Sequence, residues 1–254
     1  MRLKKIQLLE VIIYLSYFES RLRVNFENPS EIKKKLDFCE RLGIKNLILE
    51  PKNNIRDISL SLKKEIENLT KINIFYRITL KPSGLNELKK KIKYYNNFTN
   101  ILSVETPDKD AQLYAAKDSR VDLISFSTQT ILKTLTPGVI SLAKQNGSFI
   151  EFSLAPIMVS NKSIQSKNFR NLYRFTRLVR DLKANYIISG NFEELFDLRH
   201  PRALLSICYS LLEIPLIDAK KAFKDNPRIL LKKVQERQNS DFLDTGVKLI
   251  KGVK

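Results

Sequence analysis

Four carboxylates sit where an alternating strand–helix chain would gather chemistry. Glu50 and Glu105 end apolar runs that read as strands, and Asp122 and Glu151 lie inside two others. Carboxylates at strand ends can act as acid, base or metal ligand. The remaining parts of a metal-dependent hydrolase are not there. The chain has one histidine, His200, so no pair of imidazoles can hold a transition metal. No tight acidic cluster supports a Mg²⁺ site made of carboxylates alone. Ser189-Gly190 lacks the flanking pattern of a nucleophile elbow, and His200 has no serine partner. Seven glycines leave no phosphate-binding fingerprint. Glu50 and Glu105 therefore read as lip residues paired with basic side chains, and His200 as a solvated helix start.

The basic residues say more. Arg170, Arg174 and Arg177 recur at helical spacing and form one stripe, with Phe169, Leu172, Thr176 and Val179 on a separate apolar face. Arginine rather than lysine favours bidentate phosphate contact. The segment Tyr186 to Ser206 runs from an apolar strand through Asp197-Leu198-Arg199-His200-Pro201-Arg202 into an apolar helix. Pro201 suits the first turn of that helix, where its missing N–H costs nothing. Arg199 and Arg202 are thus expected at a helix entrance just past a strand end, where function collects in α/β folds. A salt-bridged helix start, with Asp197 at the positive end of the dipole, is the bland alternative. Lys89, Lys90, Lys91 and Lys93, beside Tyr94 and Tyr95, read as a solvated face.

Composition bounds both readings. The 254 residues carry 45 Lys+Arg against 27 Asp+Glu, a net +18. A field of that sign favours polyanions, nucleic acid first and an anionic membrane surface second. At 43% hydrophobic the chain can bury a large core. Cys39 and Cys208 lie in apolar helical contexts without metal spacing, as buried thiols in a reducing compartment would. Arg2, Lys4 and Lys5 ahead of an apolar run imitate a signal peptide. No cleavage site follows and the run is too short to span a bilayer, so a soluble cytoplasmic protein is expected.

Apolar runs bounded by glycine and proline predict strands at Leu8–Leu15, Ile44–Glu50, Ile72–Leu80, Ile101–Glu105, Val121–Phe126, Phe149–Leu154 and Tyr186–Ser189. Arg21 and Arg23 then fall in a connecting loop. Helices are expected between the strands, the longest at Ser166–Ala184, and three more follow from Pro201 to Gln238. Strand–helix alternation requires a parallel sheet under helices. Near-equal units without a break in composition favour a distorted or incomplete TIM-type (β/α) barrel of about seven strands, over residues 1–238. Ile214–Ile217 is the weak candidate for an eighth strand. Residues 239–254 read as a short basic tail open to disorder.

Arg120-Val121-Asp122-Leu123-Ile124-Ser125, then Glu151-Phe152-Ser153-Leu154-Ala155-Pro156 before a basic helix, then Ile188-Ser189-Gly190, Asp197 to Arg202, and Asn226-Pro227 before a last helix form an ordered set. In this order and spacing the chain resembles the archaeal and eukaryotic ribonuclease P protein component 3 family, over about residues 100–238. The resemblance implies a barrel of the polymerase-and-histidinol-phosphatase type that lacks its metal ligands. It also implies a non-catalytic subunit of the ribonucleoprotein that removes 5′ leaders from precursor tRNA. There the RNA carries the Mg²⁺-dependent hydrolysis and this chain binds no cofactor. The implied partners are ribonuclease P RNA, precursor tRNA and protein component 2, in a heterotetramer, with no membrane. By motif, Arg120, Arg199 and Arg202 match basic positions of the family, and Arg170, Arg174 and Arg177 lie in the matching helix. Phe126 and Ala155 depart from the pattern, and no RNA contact is carried over to them. The alternative is a stand-alone metal-dependent phosphoesterase or nuclease on the same barrel, resting on Glu50, Glu105 and Asp122.

Overall fold

The computed structural model describes residues 16–96, 98–238, 242–244 and 247–248. The chain opens with β1 (Phe18–Val24), α1 (Pro29–Arg41), β2 (Asn46–Pro51), α2 (Leu60–Asn68), β3 (Asn73–Leu80), α3 (Leu85–Ile92) and a 3₁₀ turn at Lys93–Tyr95. Then come β4 (Ile101–Val104), α4 (Lys109–Lys117), β5 (Leu123–Phe126), the short α5 (Gln129–Leu132), α6 (Pro137–Gln145) and β6 (Phe149–Ser153). Next are α7 (Lys162–Asp181), β7 (Tyr186–Ser189), α8 (Pro201–Leu211), α9 (Leu216–Lys220), a π-helical turn at Lys221–Asp225 and α10 (Asn226–Gln238). The seven strands pair in sequence order, all parallel, as the strand–helix alternation requires.

The expected first strand, Leu8–Leu15, lies outside the described residues. Arg21 and Arg23 correct the loop expected there, because both are inside β1. Ile214–Ile217 is no strand either; Ile214 is buried and α9 begins at Leu216. The longest helix starts at Lys162, earlier than apolar periodicity indicated, because Asn161 caps it by accepting from the Ile164 N–H at 3.1 Å. Phe126 ends β5 against Phe152, in the apolar layer under the helices. In the basic tail 239–254, residues 242–244 and 247–248 pair as an antiparallel ladder; the rest of that stretch lies outside the described residues.

Outward side chains such as Leu22, Leu49, Ile78, Val104, Phe152 and Ile188 form the large core between sheet and helices. The inward side chains form two layers. Phe18, Ile48, Phe75, Ile101, Leu123, Phe149 and Ile187 make an apolar plug at the N-terminal end, joined by Leu230, Leu231 and Val234 of α10. That helix seals this mouth. Arg237 donates to the Phe98, Asn100 and Arg120 carbonyls, all just before β4 and β5, and pairs with Asp122 at 3.1 Å. Two residues further along most strands, the inward positions are polar: Glu50, Arg77, Ser103, Ser125, Glu151 and Ser189. A bulge in β1 between Glu19 and Leu22 brings Arg21 into the same layer.

No ladder joins β1 to β7. Where an eighth strand would stand, the π-helical turn packs against both edges. Closer in, a carboxylate bridges the seam, since Glu19 accepts from the Gly190 N–H at 3.0 Å and from the Arg21 N–H at 3.1 Å. Any side chain at Gly190 would meet that carboxylate, because a Cβ there lies 2.7 Å from Glu19 Oε2 and 2.8 Å from the Phe192 ring. Gly190→Ala should therefore destabilise the fold by about 1–3 kcal/mol in urea unfolding. A wild-type midpoint would mean that the seam yields at no cost. Among the described residues no helix is long and apolar enough to cross a membrane.

Candidate functional site

Charge meets charge inside the barrel. Arg21 and Arg77 are fully buried. Arg21 donates to Glu50 at 2.7 and 2.9 Å and to Glu105 at 2.6 Å. Arg77 takes Glu151 in bidentate fashion at 2.7 and 2.8 Å and also bonds the hydroxyls of Ser103 and Ser125. Arg23, nearer the C-terminal mouth, reaches Glu50 at 3.4 Å and Glu193 at 3.2 Å. Burial alone would raise the Glu50 and Glu151 carboxyls; Arg21 and Arg77 outweigh it and hold both below the usual carboxylate range. Burial opposes the charge on Arg21 as well, and Glu50, Glu151 and Glu105 raise it above its ordinary value. The guanidinium groups of Arg21, Arg23 and Arg77 thus face the carboxyl groups of Glu50, Glu105 and Glu151. Among the described residues Glu19 pairs with no cation, and burial pushes it up to about 7 against the backbone N–H groups that donate to it.

This arrangement removes the acids from hydrolytic chemistry. Glu50 and Glu105 are buried within the barrel rather than exposed at its lip, each tied to Arg21. Asp122 lies at the opposite end, against Arg237 and the Leu102 N–H. The three acids that a phosphoesterase reading needed are split between the two ends of the barrel. Among the described residues no group of three His, Cys, Asp or Glu side chains could hold a metal ion. Cys39 and Cys208 are buried, and desolvation pushes both thiols up to about 12, far from reactive thiolates.

The arginines expected to meet RNA fall on three separate surfaces. Arg170, Arg174 and Arg177 lie exposed along the outer face of α7, while Leu172, Thr176 and Val179 face the core as the spacing implies. Arg177 leans on Asp181 at 3.8 Å. Arg120 precedes β5, and its guanidinium is taken by Asp118 at 2.6 and 2.8 Å and by Asn96 at 2.8 Å.

Arg199 and Arg202 lie elsewhere than expected. The segment after β7 does not turn straight into a helix at the C-terminal edge. It passes Glu193 beside Arg23, then descends along α1, where Phe196 packs edge-on against Phe38 at 6.3 Å. It reaches the N-terminal edge at His200, and α8 starts there. His200 Nδ1 accepts from the Arg202 N–H at 3.0 Å and caps the helix. Desolvation, and then Arg202, lower its pKa, which favours the unprotonated Nδ1 that accepts this bond. Arg202 stacks on Tyr17, its guanidinium carbon 5.6 Å from the ring centre. Together with Ser16, Gly43, Lys45 and His200 they border a hollow of about 280 Å³ before β1 and β2. Arg199 is exposed and donates to the Leu198 carbonyl at 2.9 Å. The interior arginines Arg21 and Arg77 were not legible as site residues; the charged alternation in Phe18–Val24 could have signalled Arg21, and Arg77 stands alone among the apolar residues of β3.

Comparison with known proteins fits this geometry. A chain in the cryo-EM structure of an archaeal ribonuclease P with mature tRNA shares 15% identity at a TM-score of 0.75, over 92% of this chain and 99% of that one. The phosphotriesterase homology protein from Escherichia coli, complexed with phosphate in its active site, shares 11% identity at a TM-score of 0.51, over 84% of this chain and 98% of that one. At such identities these likenesses show a common barrel. The family described as RNase P subunit p30 matches residues 17–239, all seven strands and the sealing helix included. The chain belongs to the RNase P p30 subunit family.

Proposed function

We propose that this chain is a protein subunit of ribonuclease P that grips RNA, while the RNA itself performs the Mg²⁺-dependent hydrolysis that removes 5′ leaders from precursor tRNA. The observation that carries the reading is the family match across the entire barrel. Two physical features support it. The interior arginines and carboxylates largely pair with one another, so the cationic excess of the described residues lies on the outside. Arg170, Arg174, Arg177, Arg199 and Arg202 offer exposed guanidinium groups suited to phosphate oxygens. Arg120 is the weakest of the six, since Asp118 already occupies its fork. Ribonuclease P RNA and precursor tRNA are the proposed nucleic-acid partners. Protein component 2, in a cytoplasmic heterotetramer, is the proposed protein partner. The metal belongs to the RNA in this reading.

Binding should weaken steeply with salt, with a log–log slope of roughly −0.7 to −0.9 per phosphate neutralised. Arg199→Ala with Arg202→Ala should flatten that slope by about one for each phosphate that is no longer neutralised. The same double variant should slow leader removal by the reconstituted ribonucleoprotein while urea unfolding stays unchanged. A salt-independent wild type would overturn RNA binding. Full activity of the double variant would return both arginines to a helix-start role.

A further inference from the structure

One cleft outside the arginine surfaces is built for more than phosphate. The β2–α2 connection passes between the end of β3 and the end of α3, leaving a cleft of about 220 Å³. That is several times the ~30 Å³ share of one water molecule. Tyr94 stands on its rim at 68% exposure. The backbone on either side of Tyr94 is anchored, since Ile92 and Tyr95 are buried and Tyr95 meets Phe98 edge-on at 4.9 Å. The Arg56 guanidinium lies over the Tyr94 ring at 4.9 Å from its centre. Lys52 and Lys91, also on the wall, are engaged by Glu31 and Glu87. Arg56 and Lys81 have no ion pair among the described residues. Asn54 adds an amide that can both donate and accept.

An exposed aromatic ring on an anchored backbone, a planar cation over it and a lysine with no ion pair among the described residues match how proteins hold unpaired bases. A duplex presents its bases edge-on and stacked, and could not reach the ring. We propose that this cleft takes one unstacked nucleotide of single-stranded RNA, the base stacked on the Tyr94–Arg56 pair and the phosphate against Lys81. The proposal rests on the RNA-binding reading above and adds to it a site with a preference for single strands. It also gives a role to the lysine- and tyrosine-rich run 89–95, which from sequence reads as a solvated face.

The test uses a fluorescein-labelled, unstructured oligouridylate and an RNA duplex of equal length, titrated into the full chain and followed by anisotropy. Tyr94→Ala should weaken oligouridylate binding about tenfold, with Tyr94→Phe within about twofold of wild type and duplex binding unchanged. A thiouridine-substituted strand should crosslink to the peptide carrying Tyr94. Equal affinity of Tyr94→Ala and wild type would overturn the proposal, as would displacement of the strand by polyglutamate as readily as by unlabelled strand. If those variants match wild type while ribonuclease P RNA still binds in a salt-dependent way, only the cleft falls. If wild type binds no RNA at all, the functional reading falls with it.

Discussion

Arg77→Met is expected to cost about 3–5 kcal/mol of folding stability, because it takes the bidentate partner from a buried carboxylate and leaves it the longer contact to Arg21 at 3.7 Å. Arg77 donates to both oxygens of Glu151 and to two serine hydroxyls in a layer closed to water. Methionine fills much of the volume, so the loss reports charge rather than a cavity. A domain of this kind is stable by only ~5–15 kcal/mol in total. The urea midpoint should therefore fall far, with an unchanged slope. The pH dependence adds a second check. In wild type, Glu151 titrates below its unfolded value, so its contribution is present at neutral pH and is lost as pH falls through the folded pKa. Without Arg77, Arg21 at 3.7 Å is the cation left to oppose the burial that favours the protonated acid. The deficit of Arg77→Met should then shrink as pH is lowered. Adding Glu151→Gln should recover much of the loss at neutral pH, since both charges are then gone. If the single variant unfolds at the wild-type midpoint, the interior network is not a determinant of this fold.

That network also explains what could and could not be read from the chain. Strands β2 to β7 were legible because their outward positions are apolar and buried under helices, while glycine and proline mark their ends. The alternation of strand and helix then allowed little besides a parallel barrel. Strand β1 was not legible. Phe18-Glu19-Ser20-Arg21-Leu22-Arg23-Val24 looks like an exposed edge or a loop, since charges alternate with apolar residues. In a closed barrel the charged side is the inside. The carboxylates that neutralise it come from β2, from the residue after β4 and from β6, distant in sequence, so no local pattern pairs Arg21 with Glu50, Glu105 and Glu151. The bulge after Glu19, which moves Arg21 inward, has no sequence signature either. Arg199 and Arg202 do lie at a helix entrance, and their edge of the barrel was misread for another reason. A strand followed by a helix suggests a short turn, yet residues 190–200 travel the whole flank of α1, held by Arg23–Glu193 at the start and Phe38–Phe196 midway. The same arginines thus reach the opposite edge of the barrel from the one that their order implies.

The seam between β1 and β7 makes the second large effect one of pH. Glu19 is fully buried, accepts from backbone N–H groups alone among the described residues and has its pKa raised from 4.5 to about 7, chiefly by desolvation. A carboxyl raised in the folded state holds its proton more tightly there than in the unfolded chain. Its contribution is therefore complete below the unfolded value near 4.5 and is lost as pH rises towards about 7. At pH 8 the ionised Glu19 should cost on the order of 3 kcal/mol relative to its neutral form, from the rise between 4.5 and about 7 at ~1.36 kcal/mol per pH unit. Glutamine has the shape of the protonated acid and can keep its carbonyl on the Gly190 and Arg21 N–H groups. Glu19→Gln should thus be more stable than wild type above neutrality, and the two urea midpoints should converge as pH falls to about 5. This trend runs against that of Glu50 and Glu151, which lose stability in acid, so only the difference between variant and wild type isolates it. A gap that stays constant across the range would mean that Glu19 does not titrate. A variant less stable than wild type at pH 8 would mean that the negative charge itself holds the seam through its N–H contacts.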